Sequence, residues 1–376
     1  MKIGVPKERR AGEARVAISP DTVKKYRELG FEVAIETGAG AGASMTDEAY
    51  KAVGATIVGT PAEAFGADFV IKVQRPTDDE IRLMKAGTIL ACIVSPYADR
   101  AASEACARQG VVLFAMEFMP RITRAQTMDV LSSQSNLAGY RAVIDASAEF
   151  TRALPMMMTA AGTVAAARVL ILGAGVAGLQ AIATARRLGA IVSAFDVRPA
   201  VKEQVQSLGA KFVEVASEET KSAETAGGYA KEMSKEYQEK QRALIHETLK
   251  KTDIAISTAL IPGKPAPVLI TEEMVKDMKP GSVIVDLAVE AGGNCPLSEP
   301  GKVVKKHGVT IVGHLNVPSR IAVDASSLYA RNLYSFLATM VDKEKKFAIN
   351  WDDEIIKGTL IAKDGKIVHS ALATPA

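Results

Sequence analysis

The chain has 376 residues, more than one hydrophobic core usually organises, so two domains are expected. Hydrophobic residues make up 48% and charged residues 24% of the sequence, the balance of an ordinary soluble globular protein. Its 46 basic and 43 acidic residues give a formal charge of +3, spread without long blocks of one sign, so nothing indicates a nucleic-acid partner.

The first third of the chain alternates apolar runs of strand length with helical stretches. The predicted strands lie at residues 2–5, 31–35, 55–58, 69–73, 88–94 and 111–116. Helices predicted at residues 20–30 and 77–87 carry capping residues and acids at the front and a glycine just past the end. This alternation predicts an α/β domain whose parallel sheet is covered on both faces.

A long helical stretch at residues 128–154 is predicted to cross into a second domain, which continues through strands at 211–215, 253–257, 282–287 and 309–313. A helix at 325–340 is predicted to return to the first domain, whose tail contains a hairpin across Asp364 and Gly365. We therefore expect two Rossmann-like, doubly wound parallel-sheet domains separated by a cleft. The first comprises residues 1–131 and 319–376; the second comprises residues 132–318, entered by a crossing helix at about 132–154.

Residues 168–196 are typical of a strand, a glycine turn, a helix and a second strand that ends in an acid. Gly173, Gly175 and Gly178 have the G-x-G-x-x-G spacing of dinucleotide-binding folds. Gly173 would allow the tight turn, Gly175 would let a pyrophosphate approach the helix N-terminus, and Gly178 would let the helix pack close to the strand. The alternative, a close-packed turn that binds no ligand, is disfavoured by the surrounding strand, helix and acid.

The acid at the end of the second strand is Asp196, about twenty residues after the turn, where a carboxylate accepts hydrogen bonds from the adenosine ribose. Its charge would repel a 2′-phosphate, so NAD(H) is favoured over NADP(H). Arg198 could instead pair with such a phosphate, but we prefer the interpretation that it lies along the adenosine.

Residues 218–242 interrupt the alternation of strands and helices. The segment is highly charged and has Gly227 and Gly228 in its middle, followed by Tyr229. Composition alone favours a solvated loop followed by an amphipathic helix. The aromatic residue after a flexible pair favours a lid that covers a bound dinucleotide and excludes water.

A polar cluster stands before the crossing helix. Gln126, Asp129 and Ser132 recur every three residues and would share one face of a helical turn, with Arg121 reaching in from the preceding loop. Such a cluster could orient a nicotinamide and its ribose, or it could equally be helix capping and a surface ion pair.

No metal or disulfide is indicated. The three cysteines are far apart, and the four histidines show no ligand spacing with cysteines or acids. We also expect no targeting segment, and the longest uncharged run, residues 169–185, is a poor membrane helix because glycines interrupt it.

Five motifs in order resemble the NAD(H)-binding component of proton-translocating transhydrogenases, within the alanine dehydrogenase/transhydrogenase family. They are the glycine fingerprint and the segments at residues 120–133, 226–233, 258–267 and 286–296. The resemblance covers nearly the whole chain. It implies a homodimer and direct hydride transfer between NAD(H) on this chain and NADP(H) on a partner component. A membrane-spanning component would couple the transfer to proton translocation, which would place this chain in the cytoplasm, peripheral on the inner face of the membrane.

The resemblance also implies roles for individual residues. The candidate catalytic residues are Arg121, Gln126, Asp129, Ser132 and Tyr229. The loop that places the nicotinamide would contain Arg121, Ile122, Thr123, Gln126, Asp129 and Ser132, with Gln126 also reaching the second dinucleotide. The remaining cofactor-binding residues would be Gly173, Gly175, Val176, Gly178, Asp196, Val197, Arg198, Gly228, Tyr229, Gln241 and Leu260.

Two alternatives stay open. Arg15 and Lys72 resemble the substrate-binding residues of alanine dehydrogenase, but Ser95-Pro-Tyr stands where that family's histidine is expected. Oxidation of an amino acid needs a general acid-base, whereas hydride exchange between two nicotinamides needs only close placement and exclusion of water. The missing histidine therefore favours transhydrogenation, with Arg15 and Lys72 serving structure. The second alternative is a catalytically silent NAD-sensing module.

Overall fold

A computed structural model describes residues 1–215, 217, 219, 233–261 and 263–372. The chain divides into two compact units, the first formed by Met1–Gln134 with Pro318–Ala376 and the second by Ser135–Val317. Helix Val130–Glu149 contains the first boundary between them. We describe each unit by itself.

The strands alternate with helices through most of the chain. In chain order the strands are β1 Lys2–Val5, β2 Glu32–Glu36, β3 Thr56–Val58, β4 Phe69–Gln74, β5 Ile89–Ile93, β6 Val112–Ala115, β7 Met157–Thr159, β8 Gly162–Val164, β9 Arg168–Leu172, β10 Ile191–Phe195, β11 Lys211–Val213, β12 Ile254–Ser257, β13 Val283–Asp286, β14 Val303–Lys306, β15 Val309–Val312, β16 Leu360–Lys363 and β17 Lys366–Ile367. The α-helices are α1 Pro20–Glu28, α2 Asp47–Ala52, α3 Pro61–Phe65, α4 Asp78–Arg82, α5 Arg100–Arg108, α6 Val130–Glu149, α7 Val176–Arg187, α8 Lys202–Ser207, α9 Lys235–Leu249, α10 Glu272–Lys276, α11 Ala322–Ala338 and α12 Glu354–Thr359.

The first unit is built on one mixed sheet in the order β17-β16-β6-β5-β4-β1-β2-β3. Strands β1 to β6 are parallel, and the antiparallel strand β16 closes the edge beside β6 and forms the predicted hairpin with β17. The parallel strands are apolar on both faces because helices cover both sides. The strand order reverses between β1 and β4, which is where doubly wound sheets bind ligands.

The second unit has a sheet in the order β11-β10-β9-β12-β13-β15-β14. All neighbours are parallel except β14, an additional edge strand that the sequence did not predict. The order reverses between β9 and β12, so the turn after β9 lies at the switch point of this sheet. The predicted α/β fold class with parallel, Rossmann-like sheets is confirmed.

Capping side chains set several helix boundaries. Ser19 begins α1 with a reciprocal capping box with Thr22, and Thr77 does the same for α4 with Glu80. The predicted helix at 77–87 ends earlier, at Arg82, and the one at 128–154 runs only from Val130 to Glu149.

A small hairpin, β7–β8, stands apart from both large sheets in a two-stranded sheet of its own. Its first strand carries the most exposed apolar side chains of the second unit, with Met156 62% exposed and Met158 77% exposed. Among the residues that the structure describes, no helix is long and apolar enough to cross a membrane.

Candidate functional site

The glycine turn after β9 is shaped by two of its three glycines. Gly173 has a φ of 99°, a left-handed conformation that L side chains rarely adopt, and a Cβ there would lie 2.7 Å from Thr258 Oγ1. A Cβ on Gly178 would lie 1.9 Å from the carbonyl oxygen of Gly173. The close approach of α7 to the turn therefore requires glycine at both positions.

Gly175 is different, because nothing in the protein requires a glycine there. Its φ of −76° and ψ of −167° are accessible to any residue, and a Cβ on Gly175 would meet no atom within 4 Å. The space beside Gly175 is open, as it must be if a phosphate group approaches the backbone. A close-packed turn that binds no ligand explains the other two glycines but not this one.

Gly175 is also the N-cap of α7, and no side chain caps this helix. The first amides of a helix have no intrahelical acceptor, and they carry the positive end of its dipole. Val176, the first helical residue, is 41% exposed. Together these features form an anion-binding helix N-terminus at the switch point of the sheet.

Asp196 follows β10 and lies beside the glycine turn, because the amide of Ala174 donates to its Oδ2 over 2.8 Å. Arg198 binds the same carboxylate through its amide, its Nε and its Nη2, at 2.9, 2.9 and 2.8 Å. Asp196 is only 8% exposed, so this ion pair is partly buried. The predicted acid is thus at the turn, but in this structure Arg198 pairs with it.

The segment after β12 completes this edge of the sheet. Thr258 Oγ1 lies 3.0 Å from the Gly173 carbonyl oxygen to which it donates. Leu260, predicted to line the site, is two residues further on and 47% exposed. Sequence reasoning did not assign a role to Thr258, although its motif was noted.

Two further residues that the sequence analysis missed hold this segment. The Asn294 side chain accepts from the amide of Ala259 and donates to the carbonyl oxygens of Ala259 and Pro267, at 3.1, 2.9 and 2.8 Å. Buried Asp286 accepts from the amides of Asn294 and Cys295. The segment 286–296 therefore acts as a scaffold for the residues beside the glycine turn.

The polar cluster of the first unit does not occupy one helical face, so that prediction is wrong. Gln126 lies in a 3-10 helix, Thr123–Met128, and Asp129 is extended at its end. Ser132 lies in the first turn of α6. Asp129 accepts from the Ser132 amide at 2.9 Å and from its hydroxyl at 2.5 Å, which is the geometry of a helix cap. The helical spacing failed because two helices meet at Asp129.

The 3-10 helix presents an exposed edge. Arg121, Thr123 and Gln126 are exposed, and Ile122 is partly buried against the core of this unit. The neighbouring Arg124 forms a two-pronged ion pair with Asp353, the N-cap of α12, at 2.7 and 3.0 Å. The loop is thus fixed at Arg124 while Gln126 remains accessible.

Lys72 and Arg15 are buried in the first unit, each among carboxylates. Lys72 is 1% exposed and lies 3.3 Å from Glu8 and 3.4 Å from Glu80. Burial raises the pKa of Glu8, although the Lys72 charge opposes the shift. Arg15 binds Glu13, and despite the burial of that carboxylate, hydrogen bonds from Arg15 and its charge hold the pKa of Glu13 below its usual value.

The other predicted site residues have mixed outcomes. Gln241 lies on α9 and is partly buried, and Val197 packs beside the core of the second unit. Gly228 and Tyr229 lie outside the described residues, as does most of the predicted lid. Within the described part of the chain, no group of three or more metal-ligating side chains is present.

Comparison with known proteins places the whole chain. The alanine dehydrogenase/PNT N-terminal domain matches residues 4–138, and the alanine dehydrogenase/PNT C-terminal domain matches residues 142–370. The chain is 64% identical to an NAD(P) transhydrogenase subunit alpha of Rhodospirillum rubrum, over 99% of both proteins.

Solved structures agree with the sequence comparison. The crystal structure of transhydrogenase from Sinorhizobium meliloti matches with a TM-score of 0.86 and 52% identity, over 99% of this chain and 100% of that one. A structure of L-alanine dehydrogenase matches with a TM-score of 0.83 and 26% identity, over 99% of this chain and 98% of that one.

Proposed function

The chain belongs to the alanine dehydrogenase/PNT family, as its motifs predicted, and we propose that it acts as the NAD(H)-binding subunit of a transhydrogenase. In this role it presents a bound nicotinamide to NADP(H) held by another component, and hydride passes directly between the two rings. The observation that carries the assignment is Gly175, a glycine that only a bound phosphate group explains.

The residues of the second unit fit a dinucleotide. The uncapped N-terminus of α7 would hold the pyrophosphate, with Gly173 and Gly178 shaping the turn. Asp196 would accept hydrogen bonds from the adenosine ribose, and its charge would disfavour a 2′-phosphate. Leu260 and Gln241 would line the same site.

The 3-10 helix of the first unit would place the nicotinamide. Arg121 and Gln126 are exposed on it, and Asp129 is held rigidly by its cap contacts with Ser132. Bound NAD(H) supplies the hydride chemistry, so these side chains need only bind, orient and exclude water. The buried Arg15 and Lys72 keep a structural role through their carboxylate partners.

The chain would work in a larger assembly. A relative named as an alpha subunit supports the existence of further subunits. We place the NADP(H)-binding component and a membrane-spanning proton channel among them, with this chain peripheral on the inner face of the membrane. The chain would also form a homodimer. The hairpin β7–β8 supports this, because isolated two-stranded hairpins are marginally stable and its exposed methionines need a partner surface.

Rapid mixing tests the proposed function. This protein is mixed with an NADPH-bearing partner component and an NAD analogue, and reduction of the analogue is followed in the first turnover. Direct transfer supports transhydrogenation, turnover of alanine would support an amino-acid dehydrogenase, and binding without either would support a sensor. We also expect Gln126→Asn to slow hydride transfer much more than it weakens NADH binding, because the shortened amide misaligns the ring.

A further inference from the structure

Asn332, on α11, contacts the loop of residues 121–132 although it lies 205 residues beyond Thr127 in the chain. Its Nδ2 donates to the carbonyl oxygen of Thr127 at 2.8 Å, and its Oδ1 accepts from the hydroxyl of Ser133 at 2.7 Å. One buried amide therefore bridges the residue after Gln126 and the residue after Ser132.

A second buried amide extends this contact into the unit. The Nε2 of Gln134 lies 3.2 Å from Ser133 Oγ and 3.1 Å from the Ala325 carbonyl oxygen on α11. Its Oε1 accepts from Arg15 Nη1 at 2.8 Å. Arg15, Gln134 and Asn332 are 3%, 6% and 7% exposed, so solvent cannot readily replace these hydrogen bonds.

We propose that Asn332 is a positioning residue for hydride transfer, acting as a clamp that fixes the 121–132 loop. The proposal rests on the proposed function for the role of that loop. Asp129 lies between the two bridged residues, so the clamp fixes the junction between the 3-10 helix and α6. It also gives Arg15 a defined structural role, as the anchor of the chain of hydrogen bonds that ends at Thr127.

The clamp has a directional weakness, because only the amide nitrogen can donate to Thr127. Asn332→Asp keeps the acceptor for Ser133 but places a carboxylate oxygen against the Thr127 carbonyl. That repulsion displaces the loop without changing side-chain volume. Since misplacement of about 1 Å can cost a hundredfold in rate, we expect hydride transfer to fall between about tenfold and a hundredfold, with NADH affinity within about threefold of the wild type.

The measurement is first-turnover hydride transfer at pH 8, with the NADPH-bearing component, beside an NADH titration. Lowering the pH protonates the new carboxyl, which can then donate to Thr127, so the rate of the variant relative to wild type should recover. The matched control is Ser327→Ala on the same helix, whose exposed hydroxyl donates only within the helix, to Val323. Ser133→Ala keeps the bond to Thr127 and should have a smaller effect than Asn332→Asp.

Amide hydrogen exchange over residues 121–129 tests the clamp without any activity measurement. Exchange should accelerate in Asn332→Asp and stay unchanged in Ser327→Ala. Unchanged exchange, a rate within twofold of wild type, or equal losses of rate and NADH affinity would overturn the clamp. Accelerated exchange together with a wild type that transfers no hydride would support the clamp and reject the proposed function.

Discussion

The glycine turn makes a prediction in which two neighbouring glycines behave in opposite ways. Gly178→Ala would place a methyl group 1.9 Å from the Gly173 carbonyl oxygen, so α7 must shift away from the turn. Overpacking against backbone costs about 1–3 kcal/mol, and the better helix propensity of alanine offsets about 1 kcal/mol of that at most. We expect a net loss of unfolding free energy of about 1–2 kcal/mol.

Gly175→Ala should leave stability nearly unchanged. The backbone conformation suits alanine, and the added methyl group meets no protein atom within 4 Å. Alanine is a poorer N-cap than glycine, but it also restricts the unfolded chain, and each effect is worth about 0.5–1 kcal/mol. The methyl group instead occupies the space of the pyrophosphate. We expect NADH affinity to fall at least tenfold, which is about 1.4 kcal/mol.

Denaturant unfolding and NADH fluorescence titration of the two variants, side by side, check the reasoning. The decisive result is the Gly175→Ala protein, since its two measurements should separate. If it binds NADH as the wild type does, the open space beside this glycine has no role in binding, and the assignment of the pyrophosphate site is wrong.

The remaining predictions concern specificity, pH and assembly. Asp196→Ala should weaken NADH binding and strengthen NADPH binding, because Arg198 is released toward a 2′-phosphate; charge-assisted bonds of about 1.5–3 kcal/mol each predict a change in preference of at least a hundredfold, and an unchanged preference in parallel titrations would refute it. Burial raises the pKa of Glu117 above 4.5, so its contribution to stability is present below that value and is lost as the pH rises through the folded-state pKa; the stability difference between wild type and Glu117→Gln, from unfolding curves between pH 4 and 8, should decline as pH rises. Met158→Asp should convert the proposed dimer to a monomer in analytical ultracentrifugation, whereas Thr163→Ser on the facing strand should not.

The sequence predicted the sheet and the dinucleotide turn well because both depend on local pattern. Apolar runs located β1 to within a residue, and the glycine spacing identified a turn whose close contacts are all near in space to the motif itself. Even so, the sequence could not distinguish Gly175 from its neighbours. That distinction depends on what surrounds each Cβ position, which only the folded chain supplies.

The polar loop of the first unit was predicted poorly for a physical reason. Equal spacing of Gln126, Asp129 and Ser132 suggests one helix, but an aspartate three residues before a serine also matches an N-cap with its N3 partner. The cap interpretation was the correct one for Asp129 and Ser132. The contact from Asn332 could not be predicted, because it depends on how α11 packs, and no local pattern records that.

The carboxylate of Asp196 raises a question of capacity that bears on how NAD(H) would bind. Two carboxylate oxygens offer about four acceptor sites, and the amides of Ala174 and Arg198 together with the Arg198 Nε and Nη2 already use four. The two amide donors are fixed by the backbone, so ribose hydroxyls must replace the guanidinium contacts. On the proposed function, binding therefore exchanges an internal ion pair for hydrogen bonds to the ligand. The net gain at this position is smaller than a new charge-assisted bond, and Arg198 must turn away from the carboxylate, which is the movement that would bring it alongside the adenosine.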